Sequence, residues 1–375
     1  MLRGNIMNEF LNAQQKARAG RRLSFDEALL LYEKAPILFL AEWARAAKKR
    51  HSKNEVYYNI NRHINLSNTC TANCPLCAFS VEKGDKNGYI LSLANVADIV
   101  RKAAREVPGI TEIHIVSSLC PNVEFSYYID VVKTVKSILP QVNIQAFTPV
   151  EIVHFAKISG LSIKKVLQLL IEAGLSALPG GGAEILDDAV RKIICPDKAT
   201  SAEWIDVVRT AHLLKIPTNA SILYGHIETI EQRLQHLFTL RDIQDETGGF
   251  NAFIPFPFYP HNTKLAQKYK IKPLTAWENL KFIAIARLIL DNIAHLKSFW
   301  IMLSEEIAQL SLAFGADDLD GTVGEEKIIH AAGAKAGSLM TRTRLSEMIT
   351  QAGYIPVERD SLYHSVDNFQ NQKHL

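Results

Sequence analysis

Val56-Tyr-Tyr-Asn-Ile-Asn-Arg-His-Ile64 reads as a strand, and it runs directly into Asn65-Leu-Ser-Asn-Thr-Cys70-Thr-Ala-Asn-Cys74-Pro-Leu-Cys77-Ala-Phe79. The loop spaces its cysteines C-x3-C-x2-C. Three thiolates this close in sequence can wrap one metal centre, because a tight loop lets all three sulfurs point inward. A [4Fe-4S] cluster usually takes four cysteine ligands. No fourth cysteine is nearby, so one iron would stay open for another ligand. A structural zinc loop and plain reduced core cysteines are the alternatives. Zinc loops generally bring a second ligand pair at metal-binding spacing, and no such Cys/His knuckle occurs elsewhere in the sequence.

Outward from this stretch, short apolar runs alternate with amphipathic ones. Strands are expected at Val56–Ile64, Glu112–Ser117, Asn143–Phe147, Ala177–Leu178, Thr218–Tyr224, Ala252–Phe256 and Phe299–Leu303, with an eighth near Leu319–Thr322. Helical patterns lie between them, near 94–106, 126–138, 162–173, 201–214, 228–245 and 275–293. This alternation implies a parallel sheet. Seven or eight units over about 270 residues fit an α/β fold of the (β/α)8-like TIM-barrel type better than an open doubly wound sheet. Neither a dinucleotide fingerprint nor a P-loop is present. Before the barrel, residues 1–55 read as an N-terminal helical extension. Ser24 and Glu27 form a capping box there, and a second helix near 36–50 ends in Lys48-Lys49-Arg50. The barrel is expected over 56–333. A C-terminal helical cap, with a helix at Thr341–Gln351, and a polar frayed tail are expected over 334–375.

In such a barrel, chemistry sits at the C-terminal ends of the strands. The unusual residues of this chain fall there. They are the cysteine loop, Ser117-Ser118-Leu-Cys120-Pro121, Thr148-Pro-Val-Glu151, Pro179-Gly-Gly-Gly182-Ala-Glu184, Gly225-His226-Ile-Glu228-Thr229 and Pro257-Phe-Tyr259-Pro260-His261-Asn262. Phe79 can cover a cluster and exclude water. The three glycines let backbone approach a ligand closely, and Glu184 can accept hydrogen bonds from hydroxyls or balance a positive charge. Glu228 either lines the same site or begins the next helix. His63 and His226 are the candidate catalytic groups, each weighed against a satisfied core histidine. Arg62, Arg191, Arg287 and Lys297 are candidates for pairing with a substrate carboxylate. Asp317-Asp318-Leu-Asp320-Gly321 looks like a calcium loop but lacks its first and last ligands. It reads instead as an acidic turn near the mouth.

The totals exclude several classes. The chain has 375 residues, 47% of them hydrophobic, and a net charge of +3. That balance gives no footprint for nucleic acid. Five cysteines, three of them clustered, suit a reducing cytoplasm rather than a disulfide framework. The longest apolar run near the start, Pro36–Ala41, is far short of a membrane span.

Longer strings carry a resemblance. Asn65 through Phe79, Ala146-Phe-Thr148, Leu178-Pro-Gly-Gly-Gly-Ala-Glu184, Leu223-Tyr-Gly-His-Ile-Glu-Thr229, Gln244-Asp-Glu-Thr-Gly-Gly-Phe250, Trp300-Ile-Met302, Phe314-Gly-Ala-Asp-Asp-Leu-Asp-Gly-Thr322 and Pro356-Val-Glu-Arg-Asp360 resemble the aminofutalosine synthase family of radical S-adenosylmethionine (SAM) enzymes. The resemblance spans nearly the whole chain. It implies a radical SAM barrel with a [4Fe-4S] cluster on Cys70, Cys74 and Cys77. SAM would sit on the open iron, against Phe79, Ser118, Glu184, Gly225 and Glu228. It implies addition of the 5′-deoxyadenosyl radical to 3-[(1-carboxyvinyl)oxy]benzoate, an aryl enol ether dicarboxylate, in the futalosine route to menaquinone. The products would be 6-amino-6-deoxyfutalosine, methionine and bicarbonate. A reductant such as flavodoxin or ferredoxin would supply electrons, and neither nucleic acid nor membrane would take part. The rivals are a cyclase of the same pathway and, from another class, a catalytically retired cluster-binding protein. The sequence departs from the family at Ser117-Ser118 and Cys120, where a Gly-Gly pair and a histidine are usual.

Overall fold

The stretch that opens the barrel is two short strands, β1 (Glu55–Asn59) and β2 (Asn61–Asn65), joined through Ile60 in a computed structural model that describes residues 2–324, 326–333, 337 and 339–366, and for residues 2–6 the backbone alone. There follow β3 (Glu112–Val116), β4 (Asn143–Ala146), β5 (Thr218–Tyr224), β6 (Phe250–Pro257), β7 (His295–Leu296), β8 (Asp318–Gly321) and β9 (Ile355–Arg359). Pairing is parallel throughout these strands, and three short sheets join through single bridges. β2, β3 and β4 pair in order, and Gln145 bridges Ala177 while Leu178 bridges Thr218 of β5. β5 pairs β6 and β6 pairs β7; Lys297 bridges Asp318, and β8 returns to β1 with Tyr57 opposite Asp318. The ring therefore closes as the expected TIM-like barrel, with Ala177–Leu178 as its narrowest stave.

Helices cover the outside, among them Leu93–Glu106, Phe125–Ile138, Ile163–Ala173, Ser201–Leu213, Ile230–Thr247 and Ala276–Ile289. Most begin at Ser or Thr caps whose side chains accept a backbone N–H three residues on, which fixes where each starts. The N-terminal capping box is present: Ser24 N–H donates to Glu27 at 2.9 Å, and Glu27 N–H donates to Ser24 Oγ at 3.3 Å. Helices Phe25–Lys34 and Ile37–Ser52 pack on helix Ala276–Ile289. The apolar core is continuous from these helices into the barrel wall.

Three sequence expectations need correction. Phe299–Leu303 is not a strand: Trp300–Leu303 is a buried helical turn, and the strand lies earlier, at His295–Leu296. Short buried apolar runs carry no period that separates the two. The expected helical patterns pass from 126–138 to 162–173 and omit a helix, Pro149–Ser159, which has Thr148 as cap and Glu151 closing the capping box. The C-terminal segment is not purely helical. Helix Arg342–Gln351 leads into β9, which pairs with β1 in parallel, Glu55 opposite Ile355 through Asn59 opposite Arg359. The chain then turns back, with Ser365 bridging Arg359. Residues 367–375 of the expected tail lie outside the described residues. No helix among the described residues is long and apolar enough to cross a membrane.

Candidate active site

The cysteine loop leaves β2 and is tied down by other segments at the same mouth. Thr71 N–H donates to Leu119 O at 2.9 Å, beyond β3; Asn73 N–H to Asp197 at 2.9 Å; and Leu265 N–H to Pro75 O at 2.8 Å, beyond β6. Backbone N–H groups already face two sulfurs, Ala72 toward Cys70 Sγ at 3.4 Å and Ser80 toward Cys77 Sγ at 3.3 Å. All five cysteines are free thiols. Burial pushes the Cys74 thiol up to about 12 and raises Cys70 as well. Such sulfurs carry charge only against a bound cation. The donor set fits a [4Fe-4S] centre.

Phe79 is half-buried beside the loop, edge-on to Tyr89 at 6.5 Å. Ser118 N–H donates to Ser67 O at 3.2 Å, and its hydroxyl donates to Thr69 O at 2.5 Å. Neither Ser117 nor Ser118 has a positive φ, so serine in place of the family's glycines brings no backbone strain. Ser117 N–H donates to Glu151 Oε1 at 2.7 Å, while Glu151 Oε2 takes Thr148 N–H at 2.8 Å. Burial lifts the Glu151 carboxyl to about 7. Glu151 thus ties the end of β3 to the end of β4. Cys120 is buried, and its carbonyl lies 3.2 Å from His154 Nε2.

The glycine string is also required by packing within the protein. A Cβ on Gly180 would lie 2.5 Å from the Asn219 carbonyl oxygen in β5; on Gly181, 2.9 Å from Thr148; and on Gly182, 2.5 Å from Val150. Gly182 also has φ +81°. Each glycine answers to a protein neighbour. Glu184, with φ +47°, is half-buried and salt-bridged to Lys198 at 2.6 Å. Burial opposes its charge, yet Lys198 holds the carboxyl below its ordinary value. Lys198 is in turn within electrostatic reach of Cys74. The structure therefore brings Cys70, Cys74, Cys77, Phe79, Ser118 and Glu184 to one mouth, with Lys198 as a member that sequence reasoning missed.

Glu228 and His226 are committed elsewhere. Glu228 Oε1 accepts from Gly225 N–H and from Arg233 at 2.6 Å, and Oε2 accepts from His226 N–H at 2.9 Å. His226 Nδ1 lies 2.9 Å from Glu228 Oε2. Gly225, at φ +89°, makes the turn. These three residues organise the start of helix Ile230–Thr247. Two of the candidate cations are also structural. Arg191 caps the carbonyls of Gly182, Ala183, Ile185 and Ala199. Arg287 pairs with Asp317 at 3.1 Å and caps Gly315 and Ile293. The acidic string is not an open turn. Asp317 meets Arg287, Asp318 meets Arg359 at 2.6 Å, and Asp320 meets Lys297 at 3.2 Å. His63 stands inside the barrel, stacked on His114 with ring centres 4.5 Å apart.

A closed parallel barrel with a three-cysteine loop at its mouth defines the radical SAM enzymes. A radical SAM superfamily model matches residues 64–240, and one described as the CofH/MqnC C-terminal region matches 247–372. An aminodeoxyfutalosine synthase of Thermus thermophilus is 42% identical, covering 94% of each chain. A synthase of the same name from Streptomyces coelicolor is 38% identical over 95% of this chain and 94% of its own. A 5-amino-6-(D-ribitylamino)uracil–L-tyrosine 4-hydroxyphenyl transferase of Methanococcoides burtonii is 41% identical over 91% and 95%. The chain belongs to this radical SAM family, which holds both kinds of enzyme, and its family uses a [4Fe-4S] cluster and SAM. Among solved structures, methylornithine synthase (PylB) shares the fold with TM-score 0.71 at 15% identity, covering 96% of this chain and 99% of that one. The hydrogenase maturase HydG of Carboxydothermus hydrogenoformans shares it with TM-score 0.72 at 18% identity, covering 96% and 81%.

Proposed function

We propose that this chain is an aminodeoxyfutalosine synthase of menaquinone biosynthesis, joining the 5′-deoxyadenosyl group of SAM to 3-[(1-carboxyvinyl)oxy]benzoate. The products are 6-amino-6-deoxyfutalosine, methionine and bicarbonate. The observation that carries it is the near full-length similarity to two synthases. Cys70, Cys74 and Cys77 hold the cluster, which when bound supplies the electron that cleaves SAM. Ser118 and Glu184, at the same mouth, would orient SAM, Glu184 through ribose hydroxyls. Lys198 keeps Glu184 charged. Phe79 shields the loop from water. The barrel wall holds the alkene close to the mouth and away from hydrogen donors. Reduced flavodoxin or ferredoxin in the cytoplasm is the electron source.

The test is the fate of adenosine under anaerobic reducing conditions. The synthase incorporates it into product. Free 5′-deoxyadenosine alone, with the benzoate unconsumed, refutes the assignment. Iron and sulfide counts on anaerobically purified protein test the loop: Cys74→Ala should lose the cluster, and full iron in that variant would refute the three-cysteine site.

A second function is favoured by one specific feature. The transferase relative at 41% identity falls between the two synthases at 42% and 38%, and the barrel-interior pair Lys297–Asp320 offers both charges that an amino-acid zwitterion needs. Transfer from L-tyrosine to 5-amino-6-(D-ribitylamino)uracil by the reconstituted protein would establish it.

A further inference from the structure

TIM-barrel interiors are usually filled by layers of branched apolar side chains. This one is polar. Side chains alternate faces along a strand. Val56, Tyr58, Ile60 and Ile64 turn outward, leaving Asn59, Asn61, His63 and Asn65 to the interior. Asn61 Nδ2 reaches Glu112 of β3 at 3.5 Å, and His63 stacks on His114. Across the lumen stands Lys297, just past β7 and 2% exposed. Its charge is felt at both His63 and Glu112, and Phe299, two residues along the chain, brings this segment against the His63 ring. Phe299 lies parallel to His63 at 6.4 Å, with Phe256 edge-on to Phe299 at 5.7 Å.

Several groups here have unused hydrogen-bonding capacity. Buried polar atoms in folded proteins are nearly always partnered. Among the described residues, His63 Nε2 and Asn219 Nδ2 are buried without a partner. Tyr224 faces helix Ala276–Ile289 through Asn279, and alternation back along β5 turns Ser221 and Asn219 to the lumen. Lys297 has three N–H donors, and one of them reaches Asp320 Oδ1 at 3.2 Å. Burial and the neighbouring His114 hold the His63 imidazole down to about 3, hence neutral. Glu112 is held by Asn61, Ser361 and His114 and Asp320 by Lys297, so what the lumen still offers is surplus donors, an ammonium and flat aromatic walls, which suit a carboxylate on an aryl ligand.

We propose that Lys297 anchors a carboxylate of an aryl substrate inside the barrel, with His63 and Asn219 as its hydrogen-bonding partners and Phe299 and Phe256 against the ring. The inference rests on the function proposed above for the choice of probe. His63 is then a positioning residue rather than an acid or base. Asp320 holds the ammonium in place before the ligand arrives.

Binding of 3-[(1-carboxyvinyl)oxy]benzoate to anaerobic, cluster-loaded protein tests this by calorimetry, with SAM binding and thermal melting measured alongside. Lys297→Gln should weaken the benzoate by at least about thirtyfold while SAM affinity stays unchanged. Because Lys297→Gln strands Asp320, the double variant Lys297→Gln/Asp320→Asn provides a neutral pair that packs alike. It should melt like the wild type and still bind weakly. Benzoate affinity of the double variant within about threefold of wild type overturns the proposal. L-Tyrosine is the second probe. If the wild type binds tyrosine and not the benzoate, with the same dependence on Lys297, the anchor stands and the synthase assignment falls. Asp320→Asn alone should then weaken tyrosine, whereas it should strengthen a dianion. Failure of the wild type to bind either probe overturns the anchor too.

Discussion

Gly180→Ala separates a glycine kept for the fold from one kept for the cofactor. The new methyl carbon would sit 2.5 Å from the Asn219 oxygen, 2.7 Å from its carbonyl carbon and 2.8 Å from the Ala220 carbonyl carbon, where ordinary contact begins at 3.4 Å. All three are backbone atoms of β5, so no side-chain rotation relieves the clash. Strand β5 has to move by most of an ångström. Two backbone hydrogen bonds hold the narrow stave to it, Asn219 N–H to Leu178 O at 3.0 Å and Leu178 N–H to Pro217 O at 3.1 Å. The Ser221 hydroxyl also donates to Gly180 O at 2.6 Å. Losing two such bonds costs about 1 kcal/mol each, and overpacking adds about 1–3 kcal/mol. The expected loss is about 3–5 kcal/mol in urea unfolding of the cluster-free protein. Gly181→Ala meets only the Thr148 methyl at 2.9 Å and should cost about 1 kcal/mol. If Gly180→Ala unfolds within about 0.5 kcal/mol of wild type yet loses SAM affinity, the packing account is wrong and the glycine serves the ligand.

Lys48 is buried and its ammonium nitrogen stands 3.4 Å above the Tyr354 ring. Burial pushes it from 10.5 down to about 7. Between those values the unfolded chain binds a proton that the folded chain lacks, so stability should rise with pH, by at most about 1.4 kcal/mol per unit. Below about 7 the contribution is flat; Lys48→Met should remove this rise, seen as the difference between wild-type and variant denaturation curves taken from about pH 6 to 10. Arg359→Met strands the fully buried Asp318 carboxylate and should cost about 3–5 kcal/mol, with Arg359→Met/Asp318→Asn recovering part of it. Ser118→Gly loses only the bond to Thr69 and should stay within about 1 kcal/mol of wild type in the same assay.

Much of the barrel is legible because its helices carry caps and its strands are bounded by turns. Thr218–Tyr224 can be read to the residue. Where legibility fails, the reasons are physical. Trp300–Leu303 is apolar on every side, and such a run is compatible with strand or helix. His295-Leu296-Lys297 looks unlike a strand because its lysine belongs to the lumen. Thr148–Glu151 carries a capping-box signature that a reading focused on the mouth passes over. At the site, local spacing marks the cysteines. It does not reveal that Asp317 and Asp318 find Arg287 and Arg359, since those partners come from other elements. Nor does it show that Glu228 spends itself on its own turn. The polar inner row from Asn59 to Asn65 is visible in the sequence as period-two alternation.

The seam of the barrel also sets a schedule for synthesis. β1 pairs with β8 on one side and β9 on the other, and Asn61 N–H donates to the Thr322 hydroxyl across 261 residues of chain. At about 5–20 residues per second, a ribosome leaves the first strand waiting tens of seconds for neighbours. Through that interval the three thiols next to it hang from an unclosed sheet, open to oxidants and to stray metal ions. Cluster delivery during translation, or a chaperone over the nascent edge, would shorten the exposure. A circular permutant opened within 334–338 would emit β9 ahead of β1 and leave only β8 to arrive late.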